Sequence, residues 1–332
     1  MKLNLKILEN MEDELARSPS VYRSSNFWKR LNVLHLKELN RKGLNNFKRT
    51  INFFYFNWGI LGIIRHQFHL VIGGLLSGNF RPFTNSSYEK FRCLLTSWVN
   101  CIFTAYLYDY VLKIDKLEIL KKLEEPLIGS PPLINYKKRR ISQDICNSVF
   151  EFYSIFDNVP IKDEMKIMEI GAGYGRSAYV IHKTLPKTSY CIVDIPPALY
   201  IAQEYLKEVF PGEKIFTFRH FDRYDKVKRD FETSRIQFLT PNQLRLLPAK
   251  CFDLVINISS LHEMTTRQIK YYLLKIDRFC RGYFYSKQWQ KSRTKDNNYI
   301  RWHEYPVPDK WKVVYNRKHQ IQRMFFESLY KI

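Results

Sequence analysis

Lys166-Ile167-Met168-Glu169-Ile170-Gly171-Ala172-Gly173-Tyr174-Gly175-Arg176 is the stretch on which the fold turns. Its first five residues form a short apolar run and read as a strand. The glycines that follow permit a tight turn and let a ligand approach the backbone closely. Helical spacing begins near Arg176. A glycine-rich motif has meaning in this strand–turn–helix setting. A dinucleotide fingerprint would read G-x-G-x-x-G. Here Arg176 stands where the last glycine should fall, so the spacing is G-x-G-x-G, with Glu169 two residues before the first glycine.

Outward from this turn, β-rich runs alternate with helical ones, the mark of a parallel α/β sheet. Strands are predicted at 190–194, 236–239, 252–258 and 283–285, and helices from Pro196 to about Val209 and over 266–279. Two late runs, 311–315 and 325–330, fit a terminal hairpin. Before Pro160 the texture is helical, with segments near 27–42, 51–76, 87–113, 115–124 and 142–156. Ser25-Asn26 opens the first of these and Gly43 stops it. The expected organisation is a helical N-terminal region, 1–158, and an α/β domain, 159–332. The N-terminal part is expected to be all-helical, forming a lid, a substrate cover or an interface.

With an acid, G-x-G-x-G and a second acid, Asp194, closing the next strand, the segment resembles the class I S-adenosylmethionine-dependent methyltransferases. The resemblance implies a Rossmann-like sheet with helices on both faces. It implies that Gly171, Gly173 and Gly175 hold the methionine part of the cofactor. Glu169 would place negative charge near the ammonium and sulfonium. Asp194 would take both ribose hydroxyls, as a carboxylate with two acceptor oxygens can. Taken singly, Asp194 also fits an N-cap for the following helix, and Glu169 a structural acid. In the loop after the third strand Gln243 is the candidate for the adenine end. Asn257, at the end of the fourth strand, is a further cofactor candidate.

Ligands in such sheets sit outside the carboxyl ends of the strands. The fourth strand runs into Asn257-Ile258-Ser259-Ser260-Leu261-His262-Glu263-Met264. Methyl transfer to a hydroxyl needs that proton removed, a task suited to a histidine. His262 and Glu263 are the catalytic candidates, and the sequence does not choose between them. His66 and His69 share a helical face and read as core or interface residues. No metal is expected, because the strand ends lack clustered carboxylates.

Three segments carry a narrower resemblance to the bacterial sugar O-methyltransferases: 141–148, 257–264 and Tyr285-Ser286-Lys287-Gln288-Trp289. Tyr305 to Trp311, Y-P-x-P-x-x-W, adds to it. The implied acceptor is a sugar hydroxyl on a nucleotide sugar or a capsule- or lipopolysaccharide-type glycan. Trp289 and Trp302 fit sugar platforms or core packing, and Lys287 fits an anion lure. Lys and Arg number 54 against 32 Asp and Glu in 332 residues, a net +22. Such a balance speaks to partners rather than fold. It suits an anionic acceptor, an RNA backbone or an anionic membrane surface. RNA methylation is therefore the alternative reading, although no RNA-binding module is evident. The run Lys137-Lys138-Arg139-Arg140 reads as a solvated loop. Six cysteines without C-x-x-C spacing, and a start lacking an apolar leader, point to the cytoplasm, with peripheral contact at the inner membrane possible. Oligomeric state is open.

Overall fold

The computed structural model of the chain describes residues 4–53, 60–76 and 95–332. Among these, the N-terminal part runs through α1 (Leu5–Ala16), α2 (Asn26–Lys42), a 3-10 segment (Gly43–Phe53), α3 (Ile60–Leu76), α4 (Leu95–Leu112) and the single turn α5 (Ile119–Lys122). A hairpin of β1 (Ile134–Tyr136) and β2 (Arg139–Ile141) leads into α6 (Gln143–Phe156). Then come β3 (Lys166–Ile170), α7 (Arg176–Thr184), β4 (Ser189–Val193), α8 (Ala198–Val209), β5 (Ile215–Phe216), α9 (Lys228–Thr233) and β6 (Ile236–Leu239). The rest comprises β7 (Phe252–Ile258), α10 (Thr266–Phe279), β8 (Cys280–Trp289), the β9 (Lys291–Arg293) and β10 (Tyr299–Arg301) hairpin, β11 (Lys312–Lys318) and β12 (Phe325–Lys331).

Capping residues set the helix boundaries. The Ser25 side chain accepts from the Trp28 N–H to open α2, and Gly43, at φ 64°, closes it. Ser142 does the same for α6 through the Ile145 N–H. Thr265 and Gln268 form a capping box on α10, satisfying two otherwise orphaned backbone donors.

The large sheet has the order β11-β12-β8-β7-β3-β4-β6-β5. Neighbours are parallel from β8 across to β5. β12 is inserted antiparallel between β8 and β11. Side chains alternate between two buried faces, as the pleat requires. Ile167, Tyr190, Ile192, Leu254 and Ile256 pack with α6, α7 and α8, and with Leu8, Leu39, Phe47, Leu107 and Val111 from the N-terminal region. Met168, Ile170, Cys191, Val193 and Val255 pack with Ile269, Leu273 and Ile276 of α10. One core therefore runs continuously from the N-terminal helices onto the sheet.

Several sequence expectations change. The N-terminal part is not all-helical, because β1 and β2 pair there. Their turn is Lys137-Lys138, both at positive φ (50° and 62°), the pairing that suits a tight hairpin. The run is a hairpin rather than a loop, and its charges stay largely exposed, with Lys137 Nζ 2.6 Å from Asp109 and Arg140 2.9 Å from Glu124. Of the helices read over 51–76 and 87–113, residues 54–59 and 77–94 lie outside the described residues, Cys93 among them. The helix read over 115–124 is only α5, whose first amides Ile119 and Leu120 bond the Asp115 carboxylate at 2.8 Å each. No helix among the described residues is long and apolar enough to cross a membrane.

Candidate active site

All three glycines of the turn take positive φ: 76° at Gly171, 60° at Gly173 and 88° at Gly175. Gly171 is fixed twice over. Beyond its φ, a Cβ there would stand 2.2 Å from Ser260 Oγ, a separation no side chain survives. The turn thus packs directly on the segment that follows β7.

Asp194 follows β4 and faces this turn. Its Oδ2 accepts from the Gly173 N–H at 2.8 Å and its Oδ1 from the Ile195 N–H at 2.7 Å. It does not cap α8, whose N-cap is Pro197. Each carboxylate oxygen keeps an acceptor site, and the side chain is half-buried. Burial pushes the carboxyl up to about 7, against the pull of the two amides. From α2, Asn32 reaches the loop beyond, its Nδ2 donating to the Pro196 carbonyl at 2.8 Å.

Glu169 lies beneath the turn, 2% exposed, its Oε2 accepting from the Tyr190 hydroxyl at 2.8 Å. Burial raises it to about 7, opposed first by that hydrogen bond. Asn257, fully buried, has its amide engaged on both sides. It donates to the Ile170 carbonyl (2.7 Å) and Ser260 Oγ (3.0 Å), and accepts from the Leu261 N–H (3.1 Å) and Gln288 Nε2 (2.7 Å). It braces β3 against the strand end. Gln243 is likewise committed to backbone. It accepts from the Thr240 N–H at 3.1 Å and donates to the Arg219 carbonyl at 2.8 Å.

His262 is 5% exposed, its ring stacked on Trp289 with centroids 5.5 Å apart. Gln288 donates from Nε2 to the Asn257 carbonyl at 3.1 Å and to its Oδ1 at 2.7 Å, so its Oε1 is left to accept. That oxygen is 3.0 Å from His262 Nδ1. Nδ1 therefore carries the proton and Nε2 presents a lone pair, the second-partner logic that fixes an imidazole tautomer. Burial holds the imidazole down to about 4, despite the Gln288 bond, so it is neutral at pH 7. Glu263 Oε1 is 4.0 Å from Nε2. Burial raises Glu263 to about 8, with the Lys295 charge opposing, so it holds its proton at neutral pH.

Lys287 corrects an expectation. It is 1% exposed and its Nζ bonds Glu151 on α6 at 2.7 Å; it is not a surface lure. Arg176 takes the same carboxylate at 2.6 and 2.9 Å and Ser148 at 2.8 Å. His66 packs edge-on to Trp289, centroids 6.3 Å apart, and His69 Nε2 lies 2.9 Å from the Gln320 carbonyl. Trp302 packs on Phe326. Among the described residues no cluster of three or more His, Cys, Asp or Glu is placed to hold a metal ion.

The strand order and the reversed β12 decide the architecture. Order and direction are those expected of a class I methyltransferase sheet. No protein-family model matches the sequence, and no curated protein matches it. Solved structures overlap somewhat more than half of the chain. An S-adenosylmethionine-dependent methyltransferase from Aquifex aeolicus shares 15% identity over 56% of this chain and 88% of its own, with a TM-score of 0.37. The PH0226 protein from Pyrococcus horikoshii shares 14% over 59% and 92%, at 0.38. Geranyl diphosphate C-methyltransferase from Streptomyces coelicolor shares 10% over 55% and 74%, also at 0.38.

Proposed function

We propose that the chain is an S-adenosylmethionine-dependent O-methyltransferase acting on a sugar hydroxyl, of a nucleotide sugar or a cell-surface glycan. One observation carries the reading: a three-glycine turn, too tight for a side chain at Gly171, is bonded to the carboxylate that closes the adjacent strand. Those residues fit the cofactor. Gly171, Gly173 and Gly175 leave the backbone bare for its methionine part, Asp194 keeps acceptor sites for the ribose diol, and Glu169 adds negative charge once ionised, above about 7. Asn257 and Gln243 support these contacts from behind. When bound, S-adenosylmethionine supplies a methyl group on a cationic sulfur.

His262 is the base in this reading. Its Nε2 takes the acceptor hydroxyl's proton, Nδ1–H remains on Gln288, and Trp289 fixes the ring plane. Glu263, protonated at neutral pH, orients the acceptor as a hydrogen-bond donor. The sugar acceptor rests on the resemblance of 141–148, 257–264 and 285–289, and the net +22 suits an anionic one. The same charge favours RNA as the second reading. Action in the cytoplasm, with peripheral contact at the inner membrane, belongs to the same proposal.

Calorimetric titration with S-adenosylmethionine tests the cofactor. The wild type binds and Asp194→Ala binds at least tenfold more weakly; equal affinity removes the ribose assignment. Transfer of radiolabelled methyl to nucleotide sugars, surface glycans and total RNA separates the acceptors. Label in RNA alone ends the sugar reading.

A further inference from the structure

Lys48 sits in the 3-10 segment of the N-terminal region, with its side chain fully buried. Its ammonium bonds the buried Glu125 carboxylate. The same nitrogen stands 4.7 Å from the ring centroids of both Tyr174 and Tyr205, and 5.9 Å from that of Phe47. Tyr174 is the residue between the second and third glycines of the turn. Its hydroxyl donates to Asp144 at 2.6 Å, in the first turn of α6. The other Glu125 oxygen accepts from Ser142 Oγ at 2.7 Å, and Ser142 is the cap of α6. One cation thus reaches the turn by two routes, directly through a ring face and indirectly through the end of α6.

The turn needs such support. Its glycines have the greatest backbone freedom to lose. Its own amides make single bonds, Gly171 to the Val193 carbonyl and Gly175 to the Ala172 carbonyl, with Gly173 to Asp194. A buried ion pair is a weak source of stability, since an apolar pair of similar volume often serves as well. What an ammonium adds is attraction to the faces of tyrosine rings, which is strongest where water is excluded. We infer that Lys48 is a positioning residue for the cofactor turn: the N-terminal region, through this caged cation, sets the shape of Gly171–Gly175 and with it the affinity for S-adenosylmethionine. Lys48 acts through Tyr174. The inference rests on the cofactor reading above.

Lys48→Met alone strands Glu125 in the interior and fails through folding. The informative variant is the double exchange K48M/E125Q, which removes both charges and keeps the volume. Its melting temperature is expected to stay within a few degrees of wild type. Its S-adenosylmethionine Kd rises at least tenfold, and amide hydrogen exchange in a peptide covering 170–177 speeds up at least tenfold, while a β7 peptide covering 253–257 does not change. Tyr174→Phe keeps the ring under the ammonium and loses the Asp144 bond. It gives a smaller change of the same sign, and carries the test where the double variant does not fold. Unchanged exchange over 170–177 overturns the inference whatever the Kd does, as does equal acceleration in β7. A wild type that fails to bind the cofactor defeats the functional reading instead, and the exchange comparison still decides this one.

Discussion

On the proposed reading, two side chains at the strand ends divide the chemistry by their protonation. His262, held down to about 4, is a free base throughout the neutral range, while Glu263, raised to about 8, is an acid there. His262→Ala is expected to lower kcat by about 10²–10⁴-fold, the usual worth of a general base, with cofactor affinity unchanged in calorimetry. Glu263→Gln keeps a donor in place and retains most of the rate. A Gln variant as impaired as the Ala variant would transfer the base to Glu263. Asp194 makes a pH prediction of definite sign. Its raised carboxyl is ionised only above about 7, and two hydroxyl donors favour the ionised form. Cofactor binding should therefore release a proton below that pH, and Kd should worsen by about tenfold per unit as pH falls from 7. Titration calorimetry of Asp194→Asn, weaker and less dependent on pH than wild type, is the check. The placement of Glu169 and Asp194 was legible in the sequence because it is local: each adjoins its own strand end. The Lys287–Glu151 and Lys48–Glu125 pairs were not, being 136 and 77 residues apart. The one signal, for the first pair alone, was the polar run Ser286-Lys287-Gln288 directly after the strand read at 283–285, a run that β8 takes in.

Among elements, those carrying their own start and stop were read to the residue. β6, β7 and α10 fall on the predicted bounds, and in the structure the Thr265–Gln268 box fixes where α10 starts. β5, two residues long, has no period to read. The β1–β2 and β9–β10 hairpins escaped because their turns are charged or polar, Lys137-Lys138 and Asp296-Asn297-Asn298, and their strands are three residues each. The glycine turn supplies the prediction at this scale. Gly171→Ala imposes a left-handed backbone on an L residue, about 1–3 kcal/mol, and drives Cβ onto Ser260. Denaturant unfolding should show at least that loss, with cofactor binding abolished. Adding Ser260→Gly relieves the overlap but not the φ, so recovery should be partial; full recovery would mean that backbone strain at Gly171 is unimportant.

At the scale of the whole molecule, the net +22 separates the two acceptor readings by their response to salt. A phosphate backbone neutralised at six to ten points loses about 10³–10⁵ in affinity between 50 and 200 mM salt. A nucleotide sugar meeting one or two charges changes by about tenfold at most. Acceptor KM measured across that range, at fixed saturating cofactor, should follow the shallow course. A steep one would favour RNA. The continuous core has a bearing here too: Leu8 and Phe47 pack in the same cluster as Ile167 and Ile256, so the α/β part and the helices before it should melt as a single transition.

The reversed strand has a consequence for biogenesis. β12 occupies an interior place between β8 and β11 although it follows both in chain order. Until Phe325–Lys331 has left the ribosome, β8 presents an open row of backbone donors and acceptors, and β11 has no neighbour to pair with. Nascent chains halted before Phe325 should therefore be recognised by chaperones and proteases as unfinished, however well the glycine turn behind them has formed.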